Sequence, residues 1–96
     1  MLDKVKLALR ISGNALNEEV SDLINAAIAD LRLVGISVPE VRSSDTTGDP
    51  ILDRAIILYA KSEDNFGGEG DQYRKAYDYL KCALSLSGDH TESEGE

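Results

Sequence analysis

Residues 17–34 read NEEVSDLINAAIADLRLV, and this stretch decides the fold class of the chain. Its apolar side chains recur every three or four residues, which is the period of one face of an α-helix. That face comprises Val20, Leu23, Ile24, Ala27, Ile28, Leu31 and Val34. Asn17 stands where an N-cap residue is expected, and Gly35 follows as a left-handed residue that would let Ile36 pack back on Leu31. The pattern therefore predicts an amphipathic helix.

Three further segments show helical spacing, so we predict an all-α fold, a small bundle of about four helices. These segments are residues 2–10, 50–64 and 71–85. Asp49 is the expected N-cap of the middle segment, with Pro50 at its first helical position. The apolar faces of the last two segments comprise Ile51, Leu52, Ala55, Ile56 and Tyr59, and Tyr73, Ala76, Tyr77, Leu80, Ala83 and Leu84. Gly88 is expected to close the last helix.

Residues 36–48 form a long connection between the second and third helices. A connection of this length in so small a domain is unusual unless it is functional or disordered. One interpretation is an interaction loop that becomes ordered against a neighbouring subunit. The tyrosines of the last two helices, Tyr59, Tyr73, Tyr77 and Tyr79, either fill the core or face a partner, since tyrosine is favoured at interfaces. We predict an interface that comprises Ile36, Val38, Val41, Arg42, Tyr73 and Tyr79.

The composition limits the function classes that the chain can belong to. Its 96 residues are expected to form one domain over 1–88, followed by a disordered acidic tail over 89–96. The net charge of −8 argues against binding to nucleic acid through a basic surface. No apolar run is long enough to span a bilayer, and the N-terminus does not resemble a signal peptide. The single cysteine, Cys82, is expected to be a small, partly buried thiol.

The sequence contains no recognisable set of catalytic residues. The one histidine, His90, lies in the presumed tail, far along the chain from Cys82, which disfavours a Cys-His pair and a zinc site. No phosphate-binding glycine motif is present either. We therefore predict that the protein is not an enzyme and needs no cofactor or metal.

The order of the segments resembles a known family. The stretches that carry the resemblance are Leu2–Ile11, Glu18–Leu31, Asp49–Lys61 and Tyr73–Leu80. Together with the long middle loop, they are similar to the small head-tail connector proteins of tailed bacteriophages and prophages. The resemblance covers nearly the whole chain, up to about Gly88.

The resemblance implies a structural role at the head-tail junction of the virion. Such proteins are made in the bacterial host cytoplasm and form a homo-oligomeric ring beneath the portal protein. The ring is expected to follow the twelve-fold symmetry of the portal and to present a platform for the next connector or the tail-completion protein. DNA would pass through it without sequence-specific contact. The main alternative is a small helical adaptor or regulator that binds a partner helix in a groove.

Overall fold

The computed structural model of the protein describes residues 2–38, 47, 49–64 and 66–86. These residues form four α-helices, namely α1 (Leu2–Ala8), α2 (Asn17–Leu33), α3 (Pro50–Asp64) and α4 (Gly70–Ser85). A short 3-10 turn, Phe66–Gly68, joins α3 to α4. The prediction of an all-α bundle of about four helices is confirmed. The predicted helix end at Gly88 and the predicted tail over 89–96 lie outside the described residues.

Helix α1 ends at Ala8, earlier than the predicted Arg10, because the chain reverses at Arg10. Arg10 has a φ of 60°, a left-handed conformation that is unusual for a residue with a side chain. The Arg10 N–H donates to the Leu7 carbonyl at 3.1 Å, and the Ile11 N–H donates to the Lys6 carbonyl at 2.9 Å. This is the bonding pattern with which a left-handed residue closes a helix, although glycine is the usual residue there.

The start of α2 differs from the prediction that Asn17 is its N-cap. Asn17 is the first helical residue, and Leu16 occupies the cap position without a side-chain hydrogen bond. The Asn17 Oδ1 instead accepts a hydrogen bond from the Lys6 Nζ at 2.6 Å. The Asn17 side chain therefore ties α2 to α1 rather than capping its own helix.

The end of α2 confirms the prediction for Gly35. Gly35 has a φ of 87°, and its N–H donates to the Arg32 carbonyl at 3.0 Å. The Ile36 N–H donates to the Leu31 carbonyl at 3.2 Å, and the Leu31 and Ile36 side chains are both fully buried. A left-handed glycine thus turns the chain and returns an apolar side chain to the core.

The start of α3 also confirms its prediction. The Asp49 Oδ1 accepts a hydrogen bond from the Ile51 N–H at 2.9 Å, while Pro50 occupies the first helical position. Pro50 lacks an N–H, so its position adds no unpaired donor to this helix end.

Helix α3 is the centre of the bundle, since it packs against α1, α2 and α4. The buried apolar side chains are Val5, Leu9, Val20, Ile24, Ala27, Leu31, Ile36, Val38, Leu52, Ala55, Ile56, Leu58, Ala60, Tyr77 and Leu84. Four residues assigned to apolar faces are exposed instead, namely Val34, Ile51, Ala76 and Ala83. Val34 is the C-cap residue of α2, and Ile51 lies in the first turn of α3. Ala76 and Ala83 lie roughly 100° or more around α4 from Tyr77. The predicted apolar face of α4 is therefore wider than the face that the bundle buries.

Candidate interaction surface

The first residues of the long connection are held inside the bundle. Ile36 is fully buried, and Val38 is buried as well. The Arg32 guanidinium donates a hydrogen bond to the Val38 carbonyl at 2.5 Å. Both side chains therefore have partners in the core of their own chain, which explains their apolar character without a neighbouring subunit.

The end of the connection is held by a buried carboxylate. Asp53 in α3 is only 4% exposed, and its Oδ1 accepts hydrogen bonds from the Thr47 N–H at 2.8 Å and the Thr47 Oγ1 at 2.7 Å. The Lys4 Nζ lies 3.3 Å from the Asp53 Oδ2. Asp53 thus connects α1, α3 and the residues before α3. The predicted interface residues Val41 and Arg42 fall between the two attached ends and lie outside the described residues.

Two of the four tyrosines join α3 to α4. Tyr77 is fully buried, and its ring meets that of Tyr59 edge to face, with centroids 5.2 Å apart. The Arg74 guanidinium lies over both rings, at 5.1 Å from the Tyr59 centroid and 5.7 Å from the Tyr77 centroid. These contacts place Tyr59 and Tyr77 in the bundle, as one of the two interpretations of the sequence expected.

The Tyr77 hydroxyl also links α4 to α2. It donates to the Asp30 Oδ2 at 2.5 Å, and the Lys81 Nζ lies 3.1 Å from the same oxygen. Burial opposes ionisation of Asp30, but the hydrogen bonds from Tyr77 and Lys81 outweigh it and hold the pKa of the carboxyl below its usual value. Burial, together with the bond to Asp30, raises the pKa of the Tyr77 phenol above its usual value. Asp30 is therefore a carboxylate and Tyr77 a neutral donor at pH 7.

The other two tyrosines differ in exposure. Tyr73 is half-buried and packs against the core, with the Lys61 Nζ 5.2 Å from its ring centroid. Tyr79 is 78% exposed on the outer side of α4. Among the described members of the predicted interface, Tyr79 is therefore the one that offers a large side chain to a partner.

The prediction for Cys82 is wrong. Its side chain is exposed rather than partly buried, because Cys82 lies on the outer side of α4 with Tyr79. The thiol is consequently open to reagents and is not part of the core.

Two structural carboxylates were not singled out from the sequence. Asp53 follows the buried Leu52 and belongs to a helix with apolar residues on both sides of it, which is the only local signal of its burial. Asp30 stands beside the apolar face of α2 without any pattern that links it to Tyr77. Thr47 is only six residues from Asp53, but Lys4 is 49 residues from Asp53 and Tyr77 is 47 residues from Asp30, beyond the reach of local sequence patterns.

The charged groups of the described residues are paired with one another or exposed, and they do not converge on a reaction centre. Within residues 2–38, 47, 49–64 and 66–86 there is no group of three or more His, Cys, Asp or Glu side chains that could hold a metal ion. No helix in the described part of the chain is long and apolar enough to cross a membrane. The described residues form a small bundle whose outer helix faces are exposed.

The comparison with known families identifies the class of protein. The chain belongs to the phage connector protein family, whose model matches residues 1–91. The family is structural, and its members are components of phage particles. No curated protein and no solved structure matches the chain. The resemblance noted in the sequence is therefore confirmed at the level of the family.

Proposed function

We propose that this protein is a head-completion adaptor of a tailed bacteriophage. Copies of the chain form a ring beneath the portal, join the DNA-filled head to the next connector or the tail, and let DNA pass through the centre. The observation that carries the proposal is the match of the phage connector family over residues 1–91, nearly the whole chain.

The shape of the subunit is consistent with a structural role. The buried carboxylate of Asp53 connects α1, α3 and Thr47 to one another, which is a structural role within the bundle. A ring requires that one face of each subunit meets a different face of the next. Large apolar side chains at α2 and α4 remain exposed and are available for such contacts, among them Leu33, Tyr79 and Leu86.

The attached ends of the long connection make it a suitable contact element. Ile36 and Val38 hold its start against the core, and Thr47 holds its end to Asp53. In this proposal Val41 and Arg42 contact the neighbouring subunit or the portal. Tyr79 offers a further contact on the outer side of α4, and Tyr73, which packs partly against the core, offers a smaller one on another side of the helix.

The charge of the chain suits passage of DNA. A net charge of −8 gives each subunit an excess of carboxylates, and a ring of such subunits repels the phosphate backbone. A channel of this kind would guide DNA without retaining it, and no sequence-specific contact is needed.

The test is deletion of the gene from the phage or prophage that encodes it, followed by electron microscopy of the particles. We expect DNA-filled or leaking heads and free tails, with joined particles restored when the wild-type gene is supplied in trans. A complementing variant in which residues 39–46 are replaced by a short Gly-Ser linker keeps Ile36, Val38 and Thr47. This variant should fold but fail to join heads to tails. Normal particles without the protein would refute the proposal.

A further inference from the structure

Helix α4 carries a second apolar stripe on the side that faces away from the bundle. Ala76, Tyr79, Ala83 and Leu86 follow one another at intervals of three and four residues and are all exposed. Tyr79 is 78% exposed and Leu86 is 82% exposed. The buried residues Tyr77 and Leu84 use the opposite side of the same helix. We call Ala76, Tyr79, Ala83 and Leu86 the α4 stripe.

Helix α2 carries a similar outward-facing surface. Ala26, Ala29 and Leu33 recur with the same spacing, and all three are exposed, Leu33 by 83%. We call these three residues the α2 stripe. The buried side of α2, with Ala27 and Leu31, points the other way.

The two stripes differ in a complementary manner. The α4 stripe projects a large aromatic side chain, Tyr79, where the α2 stripe is nearly flat at Ala26 and Ala29. The α2 stripe projects Leu33, where the α4 stripe has alanines. Pairing a large side chain on one helix with a small one on the other is how packed helices fill the space between them.

One pair of opposite charges lies beside the stripes and would meet if the two helices run in the same direction, although the exposed Asp78 also flanks Tyr79. Neither stripe contains a charged residue, although each chain carries a net charge of −8 and most approaches of two copies are repulsive. The exposed Lys75 lies one turn before Tyr79 beside the α4 stripe, and the exposed Asp22 lies one turn before Ala26 in line with the α2 stripe.

From these observations we propose that the α4 stripe of one copy packs on the α2 stripe of the next copy, with Tyr79 over Ala26 and Ala29. The contact joins two different faces, so it propagates from subunit to subunit. It deepens the proposed function and rests on it only in that the neighbour is taken to be a copy of the same chain.

The area of the contact sets its strength. A tyrosine buries about 150–250 Å² at an interface, so the two stripes fall well short of the roughly 800 Å² that each partner contributes to a stable complex. One contact is therefore weak, and association is expected only at high protein concentration or when other contacts add to it. Ring closure supplies such an addition, because every subunit then makes the contact on both sides.

Disulfide cross-linking from the native Cys82, which lies beside the α4 stripe and is exposed, tests the contact. Two variants, Leu33→Cys and Ala26→Cys, each place a second thiol on the α2 stripe. Because a disulfide requires Cα atoms about 4.4–6.8 Å apart, the first variant is linked if the helices run in the same direction and the second if they run in opposite directions. Leu7→Cys on α1 is the matched control, since Leu7 is 80% exposed and lies on neither stripe.

After mild oxidation at high protein concentration, we expect one of the two α2 variants to give a ladder of dimers, trimers and larger species on a non-reducing gel. The wild-type chain has one thiol and can give at most dimers. A ladder that is equally strong for Leu7→Cys, or no ladder from either α2 variant, would overturn the inference.

A second measurement does not depend on cross-linking geometry. In sedimentation velocity over a range of concentrations, Tyr79→Asp should weaken self-association at least tenfold, whereas Leu7→Asp should leave it unchanged. Equal effects of the two substitutions would contradict the contact. Rings that form without a cross-linked ladder would overturn this inference and leave the proposed function standing. A ladder from a protein that is absent from phage particles would support this inference and overturn the proposed function.

Discussion

The buried carboxylate of Asp53 should be the polar side chain whose loss destabilises the fold most. Asp53→Asn keeps the size of the side chain and removes its charge. The Asp53 Oδ1 accepts two hydrogen bonds from Thr47, and the Oδ2 lies 3.3 Å from the Lys4 Nζ. The substitution therefore weakens two charge-assisted hydrogen bonds and removes an ion pair at one site.

The magnitude follows from the surroundings of each partner. A hydrogen bond to a charged group contributes about 1.5–3 kcal/mol to stability. Because bonds at one carboxylate are not additive, we expect Asp53→Asn to lower the free energy of unfolding by about 2–3 kcal/mol. Lys4→Met leaves both hydrogen bonds from Thr47 to Asp53 in place and removes an ion pair whose lysine is 39% exposed, so it should cost only about 0–1 kcal/mol. The difference arises because Asp53→Asn weakens both hydrogen bonds from Thr47, whereas Lys4→Met leaves them in place.

The assay is urea unfolding followed by circular dichroism, with Asp78→Asn as the control. Asp78 is an exposed residue of α4, so its substitution makes the same change of charge without a buried partner and should shift stability by less than about 0.5 kcal/mol. The reasoning would be refuted if Asp53→Asn behaved like Asp78→Asn. It would also be refuted if Lys4→Met cost as much as Asp53→Asn.

Three further predictions concern single contacts. Tyr77→Phe should cost about 1 kcal/mol in urea unfolding, because it removes one hydrogen bond to a carboxylate that is partly open to water; a cost below about 0.3 kcal/mol would contradict the contact. The pKa of Asp30 is lowered in the folded state, so its stabilisation is present above the ordinary value of 3.8 and is lost as the pH falls through the lower folded-state value. Acid titration followed by circular dichroism should therefore show a smaller loss of stability for Asp30→Asn than for the wild type, and an equal loss would contradict this sign. Arg10→Gly should raise stability by up to about 1 kcal/mol, since glycine adopts the φ of 60° without steric cost; a lower midpoint in urea would show that the Arg10 side chain makes a contact that offsets its strain.

The local features of the fold could be read from the sequence because each depends on neighbouring residues. Gly35 and Ile36 predict the end of α2, and Asp49 with Pro50 predicts the start of α3. These predictions hold because caps and turns are determined within a few residues. Arg10 was missed because nothing in its side chain signals a left-handed conformation.

The features that the sequence did not yield depend on residues far apart in the chain. Asp53 can be buried because Thr47 and Lys4 bond to its carboxylate, and no periodic pattern in the sequence brings these residues together. We predicted that Ala76 and Ala83 belong to the buried face of α4 because their spacing follows the helical period. In the structure, the bundle covers only the side of α4 that carries Tyr77. An apolar stripe in a sequence shows that a surface is apolar, but only the packing shows whether that surface is already covered.

The central claim is that the chain is a ring component at the head-tail junction, and the most direct test is its copy number in finished particles. Purified tailed particles of the phage that encodes the chain would be digested and analysed by quantitative mass spectrometry against labelled peptides of this protein and of the portal protein. The account predicts one copy for each portal subunit. Absence of the protein from finished particles, or a number of copies far below that of the portal, would contradict it.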